Sequence, residues 1–577
     1  MQFLKTNIFK LILLVLLLIL SLFFNHNVDF WIGKEYEYFQ LFLIVTFSAI
    51  FSLISKDQLR LDKVDIAVIA TLLFLAISRS LHLGSFNEIH IINTFALILY
   101  YISLKTIRLN KEEITTYYQF IIGVGVLLCT YCLLELTDII EPTNFYWRMT
   151  GNFPNPGPLG GFVALILSFV FYELLQKSIL KTPIKLVLHI VIALLMLFVI
   201  IKSESRAAML TAVISLTVIA SYYGFKKWKH FKYTLFSLLP IITIICLSKG
   251  TDSISGRLLI WKISLLSFLE HPFTGVGYGF FGVEYVNFQA DYFSKGGTTK
   301  EILLAGANEQ AFNEFLKFVI ENGIWGIVLT IVALFWIFKP KPIIPFSNQQ
   351  NFPLVSIAFY SSFTVFACFS FPLQFLAFKL LLLNQIGLQN YPPLTLNFKT
   401  NKSFQIILLS SAACLLLFTI ASHHKAFKAW KEASELQFSN PDSSIKLYSF
   451  TYHELENDGA FLLHYGNFIE EKDPDKALLL YEKAKQLINI PILYSKSAHL
   501  NEKLGNYKNT ETNLLKVHYI SPHLFKPQKE LLDFYLRTTN IEKAKWIAST
   551  ILKTPIKIPS QTVSDIKTKA KYTYNLY

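Results

Sequence analysis

Charge is scarce in this sequence. Asp, Glu, Lys and Arg make up 16% of its 577 residues, where soluble domains carry about 25%. That shortage excludes a chain built only of water-facing globular domains. Glycine is outweighed by bulk, 24 residues against 52 Phe and 28 Tyr, which describes large, lipid-compatible helices. Cysteine is rarer still: Cys129, Cys132, Cys246, Cys368 and Cys414 all lie in apolar runs. The first two have C-x-x-C spacing, but in a lipid-embedded helix they read as small packing residues and not as a redox or zinc pair. The external loops hold no acidic cluster of the kind that collects a metal.

What is abundant is apolar: 53% of the residues. A helix of about 20 residues crosses the hydrocarbon core of a bilayer. Runs of that kind occur at 8–24, 37–54, 64–83, 89–104, 115–136, 159–175, 184–201, 207–223, 233–247, 319–338, 353–372, 375–388 and 404–421. The run at 375–388 is short and carries Lys379, so it is either a crossing or a re-entrant hairpin, and the total is 12 to 13. The first run resembles a signal peptide but lacks a small-x-small cleavage site, and reads as the first span.

The net charge of +14 would point to nucleic acid in a soluble protein. Here the lysines sit in alternate loops ("KDQLRLDK", "KTIRLNKEE", "QKSILKTPIK", "GFKKWKHFK", "KPKPIIPF", "NFKTNKS"). By the positive-inside rule these loops and the N-terminus are cytoplasmic, and no nucleic-acid partner is expected. The lysine-poor set, including a long segment at about 249–318, is then periplasmic. The expected class is all-α: a polytopic domain at 1–422, then a soluble helical domain at 425–577. In that tail Pro491, Pro522 and Pro555 recur at spacings of 31 and 33 residues, near the 34 of tetratricopeptide-type arrays. It is expected on the periplasmic side, as a stabilising appendage or as a docking surface for a protein partner.

Three external segments hold more polar chemistry than connectors need. "FYWRMTGNFPNPGPLGG" places Arg148, Asn152 and Asn155 among prolines. "IKSESRAAML" puts Arg206 at the start of a span, where the helix dipole disfavours a cation. An anion held by the free N–H groups and the guanidinium would remove that conflict. "ISGRLLIWKISLLSFLEHPFTGVGYGFF" reads as an amphipathic helix over 256–270, with Leu258, Leu259, Trp261, Ile263, Leu265 and Leu266 available to a membrane interface. Its glycine-rich end follows no strand, so it is not a dinucleotide fingerprint. A fourth stretch, "GANEQAFNEFLKFVIENGIWG", carries carboxylates at the mouth of a span.

"NPGPLGGF", "SESRAAML", "GRLLIWKISLLSFLEHPFTGVGYGFF" and "FNEFLKFVIENGIWG", in this order across about 150–390, resemble the O-antigen ligase and polymerase family of bacterial inner-membrane glycosyltransferases. The resemblance implies transfer of a glycan from an undecaprenyl-diphosphate carrier to a hydroxyl acceptor, such as lipid A core, at the periplasmic face among membrane lipids. It implies a metal- and cofactor-independent, inverting reaction. Arg206 and Arg257 occupy the family's arginine positions and are expected to hold the diphosphate, with Arg148 as a third cation. Asn155 and His271 are expected substrate contacts.

One position departs from the family. Many of its ligases have histidine before the "NEFL" asparagine; here it is Phe312. If the stretch is helical from about Asn308, Glu309, Asn313 and Glu314 share a polar face, and Glu309 or Glu314 accepts the acceptor's proton. The acceptor stays open between lipid A core, a growing glycan (a repeat-unit polymerase) and protein (an O-oligosaccharyltransferase). A lipid-linked-glycan flippase or a periplasmic scaffold are the competing classes. The first would place ionisable groups at the bilayer midplane, and the second leaves the arginines without a role.

Overall fold

A computed structural model describes residues 7–23, 30–54, 59, 61–107, 109–142, 144, 146–224, 252–338, 352–388 and 402–576. Among these every regular element is helical, and the chain is a polytopic membrane protein. The helices α1 (Asn7–Phe23), α2 (Phe30–Ile54), α3 (Lys63–Leu83), α4 (Ile89–Leu104), α5 (Lys111–Leu136), α6 (Pro156–Leu174), the single turn α7 (Lys177–Leu180), α8 (Pro183–Lys202) and α9 (Arg206–Gly224) form the first part of the bundle. The expected span at 233–247 lies outside the described residues.

Then come α10 (Asp252–Glu270), α11 (Phe281–Ser294), the short α12 (Thr299–Leu304), α13 (Glu314–Phe338), α14 (Phe352–Phe369), α15 (Leu376–Gly387) and α16 (Lys402–Leu436). Seven of the described helices are long and apolar enough to cross a membrane, and five more are apolar but shorter. α15, with 12 residues, rises about 18 Å, short of the roughly 30 Å hydrocarbon core.

Lipid is as apolar as leucine, so packing and small residues hold such a bundle together. α6 lies at its centre, against α5, α8, α9 and α14. Gly160 and Gly161 make this approach possible: a Cβ on Gly160 would strike Ser203, and one on Gly161 the ring of Phe366. α8 turns the other way, with Ile184, Val187, Val191, Leu194 and Ile201 all exposed to the surroundings, as lipid-facing residues are. Polar pairs stitch the interior: Tyr100 Oη donates to Asn384 Oδ1 at 2.6 Å, and Tyr101 Oη to Asp65 Oδ1 at 2.7 Å.

The hydropathy change expected at 422–425 falls inside α16. With 35 residues, this helix rises about 52 Å, too long for the core alone. Its second half carries Phe427 and Trp430 into a cluster with Trp31 and His464. The last span and the first part of the tail thus share one continuous helix.

The tail continues as α17 (Pro441–Leu455), α18 (Gly459–Ile469), α19 (Pro474–Leu487), α20 (Pro491–Lys503), α21 (Tyr507–Ile520), α22 (Phe525–Arg537), α23 (Ile541–Lys553) and α24 (Gln561–Leu576). Proline fits at the first helical position because no intrahelical N–H is needed there; Pro441, Pro474 and Pro491 occupy it. The tail is not held at arm's length. Asn489 donates to Val283 O at 2.7 Å, Gln289 to Ile520 O at 2.6 Å, and Lys557 to Leu303 O at 3.1 Å. It therefore lies on the same side of the membrane as the segment containing α11 and α12.

Within the tail His518 is 4% exposed, beside Tyr519 and Trp546, and burial pushes its pKa down to about 4. The unfolded chain binds a proton near pH 6.5. Between these values the unfolded state takes up a proton that the folded state refuses, so stability falls as pH falls, by up to about 3 kcal/mol. Hydrogen-exchange protection of α21 and α22 in the full chain should drop from about pH 7.5 to about pH 5. His518→Leu should remove that part of the slope; an unchanged slope would assign it to other groups.

Candidate active site

The site grows from two helix ends and one loop. Three residues join α8 to α9, and Ser205 Oγ caps α9 by accepting from Ala208 N at 3.3 Å. That sets Arg206 as the first residue of α9, the position anticipated from the sequence. α10 meets it from the other side. Leu259, Ile260 and Ile263 of α10 are buried against Val276, Phe281, Tyr285, Ala311 and Ile320. Leu258, Leu265, Leu266 and Leu269 remain exposed. The amphipathic face expected from the sequence is therefore split: Leu259 and Ile263 serve the protein core, and the other leucines face outward.

Trp261 Nε1 donates to Ala311 O at 2.9 Å. Arg257 lies one turn earlier on the same face, and its guanidinium covers the Phe312 ring at 5.3 Å. Burial, and then the neighbouring Arg206, push the Arg257 pKa down. The two arginines are thus near enough for their charges to repel. Among the described residues no carboxylate forms an ion pair with Arg257. Two neighbouring cations favour the approach of an anion.

The stretch before α13 is not helical from Asn308. Residues 305–313 form an irregular loop, and the helix begins at Glu314. Phe312 has a φ of 52°, a left-handed conformation rare for a bulky residue. It persists because Ala311 is buried, Phe312 is sandwiched between Arg257 and Phe371, and Asn313 Oδ1 caps the next helix by accepting from Leu316 N at 3.0 Å. The shared polar face expected for Glu309, Asn313 and Glu314 is therefore not formed. The physical reason is the left-handed turn at Phe312, which no periodicity argument registers. Glu309 is exposed, with its backbone over Gly282. Glu314 Oε1 accepts from Leu373 N at 2.7 Å and pins the turn between α14 and α15. Asn313 serves as a helix cap.

A broken helix completes the surroundings. Gly323 has φ 59° and ψ −142° inside α13, and the glycine-rich segment docks into the break. Val276 N donates to Ile320 O at 3.1 Å, Gly277 N to Glu321 O at 3.0 Å, and Ile324 N to Pro272 O at 2.8 Å. Backbone groups freed by the break are thereby satisfied, as they must be at membrane depth. Arg79 fixes the far side of this segment. It forms two 2.9 Å bonds to Glu88, donates to Tyr278 O at 3.1 Å, and covers Phe280.

The other expected residues lie apart. Arg148 is exposed on the connection between α5 and α6 and makes no hydrogen bond or ion pair among the described residues. Asn155 Oδ1 caps α6 through Gly157 N at 3.0 Å. His271 is exposed just past the end of α10, edge-on to Phe288. Sequence reasoning passed over Arg79 and Glu88, although an arginine inside an apolar run was a visible signal. Phe371 and the Gly323 break had none.

No curated protein matches the chain. Residues 191–331 match the family model described as O-Antigen ligase, a narrower stretch than the 150–390 of the sequence resemblance; Arg148 and Asn155 fall outside it. Both arginines, the glycine-rich segment, the Phe312 turn and the Gly323 break fall inside it, and over this segment the chain is similar to the O-antigen ligase family.

Proposed function

We propose that the protein transfers a glycan from an undecaprenyl-diphosphate carrier to a hydroxyl acceptor at the outer face of the bacterial inner membrane. The observation that carries this reading is the convergence of Arg206 and Arg257, the first at a helix start and the second lacking a carboxylate ion pair among the described residues. The leaving group of the transfer is a lipid diphosphate whose negative charge grows as the sugar–oxygen bond breaks. Two planar guanidinium forks and the free N–H groups of α9 stabilise that charge. The acceptor oxygen attacks the anomeric carbon from the opposite side, which inverts it, and the hydroxyl proton leaves as the new bond forms. Glu309 is the accessible carboxylate for that proton, since Glu314 is held by the Leu373 amide.

The alternation of lysine-rich loops supports a cytoplasmic N-terminus and a periplasmic tail on this reading. The acceptor is lipid A core on this reading; a growing glycan or a protein would make the enzyme a polymerase or an O-oligosaccharyltransferase with the same donor. Deleting the gene and resolving lipopolysaccharide and glycoproteins on gels decides between them. Loss of capped lipopolysaccharide with carrier-linked glycan accumulating is the expected result. Shortened chains indicate polymerisation, and unchanged lipopolysaccharide with loss of glycoprotein indicates a protein acceptor. No change in either, with no accumulated carrier-linked glycan, would refute the proposal.

A further inference from the structure

Where the end of α1 meets α2 and the starts of α4 and α15, the bundle forms a cavity of about 160 Å³. Apolar helices that merely pack would leave no such space, or a dry one. This one is lined by Glu37, Gln40, His90, Asn93, Gln374 and Lys379. The one carboxylate, Glu37, pairs with Lys34 at 3.8 Å, and the one ammonium, Lys379, lies within electrostatic reach first of Glu314 and then of Glu37. The wall therefore selects neither an anion nor a cation. Its remaining polar groups are three carboxamides and an imidazole, each offering both hydrogen-bond donors and acceptors. Asn93 Oδ1 is buried with no partner among the described residues, and a buried acceptor of this kind favours an incoming donor.

The cavity also has an apolar side, and that side leads to the reaction centre. Phe312, under Arg257, packs on Phe371 at 5.4 Å. Phe371 packs on Phe375 at 5.9 Å, and Phe375 on Phe153 at 5.3 Å. Both Phe375 and Phe153 line the cavity. A line of phenyl rings thus runs from the guanidinium of Arg257 into a pocket of amides. A pyranose ring has the matching chemistry: hydroxyls around its edge, each donor and acceptor, and C–H groups on its faces that lie against aromatic carbon.

We propose that this cavity is a subsite for one neutral, polyhydroxylated sugar ring of a glycan engaged at the arginines. The assignment rests on the transfer reaction proposed above. The ring belongs either to the donor glycan or to the acceptor, and its recognition is the same in both cases. The test uses the full-length protein in detergent, with glucose, galactose and N-acetylglucosamine as probes followed by saturation-transfer NMR. At least one sugar should receive magnetisation on its ring protons. The near-isosteric double variant Gln40→Leu, Asn93→Leu should weaken that signal by about tenfold, as expected for two lost hydrogen bonds.

Arg257→Ala, which removes the diphosphate contact, should leave the sugar signal intact while transfer is lost, so failure at the arginines and failure at the cavity are separable. Displacement of the probe by carrier-linked glycan isolated from the deletion strain assigns the ring to the donor; displacement by lipid A core assigns it to the acceptor. No transfer to any of the three sugars in the wild-type protein, or an equal signal in the Leu double variant, overturns the proposal.

Discussion

Arg257→Ala is expected to slow glycan transfer by roughly 10²–10³, the loss of about 3–4 kcal/mol of transition-state stabilisation, while the protein inserts and folds normally. The guanidinium sits over Phe312, which holds it, and near Arg206, which repels it. Its removal should therefore leave resistance to thermal unfolding little changed, even as activity falls. A purely structural arginine behaves differently, because losing it lowers stability. Arg257→Lys separates charge from shape: it keeps the cation but loses the bidentate fork, and should also impair turnover. Measuring transfer and melting on the same preparations decides the matter. Full activity in Arg257→Ala would mean that the diphosphate is bound elsewhere.

The second large effect is expected from a residue that touches no substrate. Gly323→Ala should abolish transfer and cut the yield of folded protein. The backbone there, at φ 59° and ψ −142°, is a region occupied almost only by glycine, and another residue pays of order 1–3 kcal/mol in strain. A Cβ at this position would also sit 2.6 Å from the carbonyl carbon and oxygen of Phe273, so the glycine-rich segment would be pushed out of the helix break. Gly275→Ala should act similarly from the other side, since its Cβ would meet the Glu321 carbonyl. Gly306→Ala is the control, because its nearest neighbour is 4.0 Å away and its φ is not positive. Proteolysis at 271–280 reports the displaced segment directly. Wild-type yield and activity in Gly323→Ala would show that the docked break is not needed.

The long apolar runs were legible because hydropathy over about 20 residues is a strong signal. So was the start of α9 at Arg206, where Ser205 announces a cap. The approach of Arg206 to Arg257 was reached through family resemblance, since nothing in the spacing of two residues 51 positions apart brings them together. The stretch before α13 was misjudged for a definite reason. Its polar residues fit a helical face, and periodicity is blind to a single residue such as Phe312 whose left-handed backbone is imposed by Arg257 and Phe371. Asn313 and Asn155 look the same in sequence whether they bind a ligand or a helix start, and only the bonds to Leu316 N and Gly157 N distinguish the two. The Pro spacing of the tail announced helices, yet gave no hint that the tail grips α11.

That grip has a consequence for how the molecule is made. Gln289 donates both to Gly306 O, in the loop that carries Glu309 and Phe312, and to Ile520 O in the tail. Asn489 and Lys557, also in the tail, hold the same region. Synthesis runs from the N-terminus, so the loop emerges more than two hundred residues before the groups that brace it. A ribosome-bound or truncated chain has both arginines and no firm seat for them. Completion of the last helices is then the step that braces the loop, and fragments left by interrupted synthesis carry the arginines without that support.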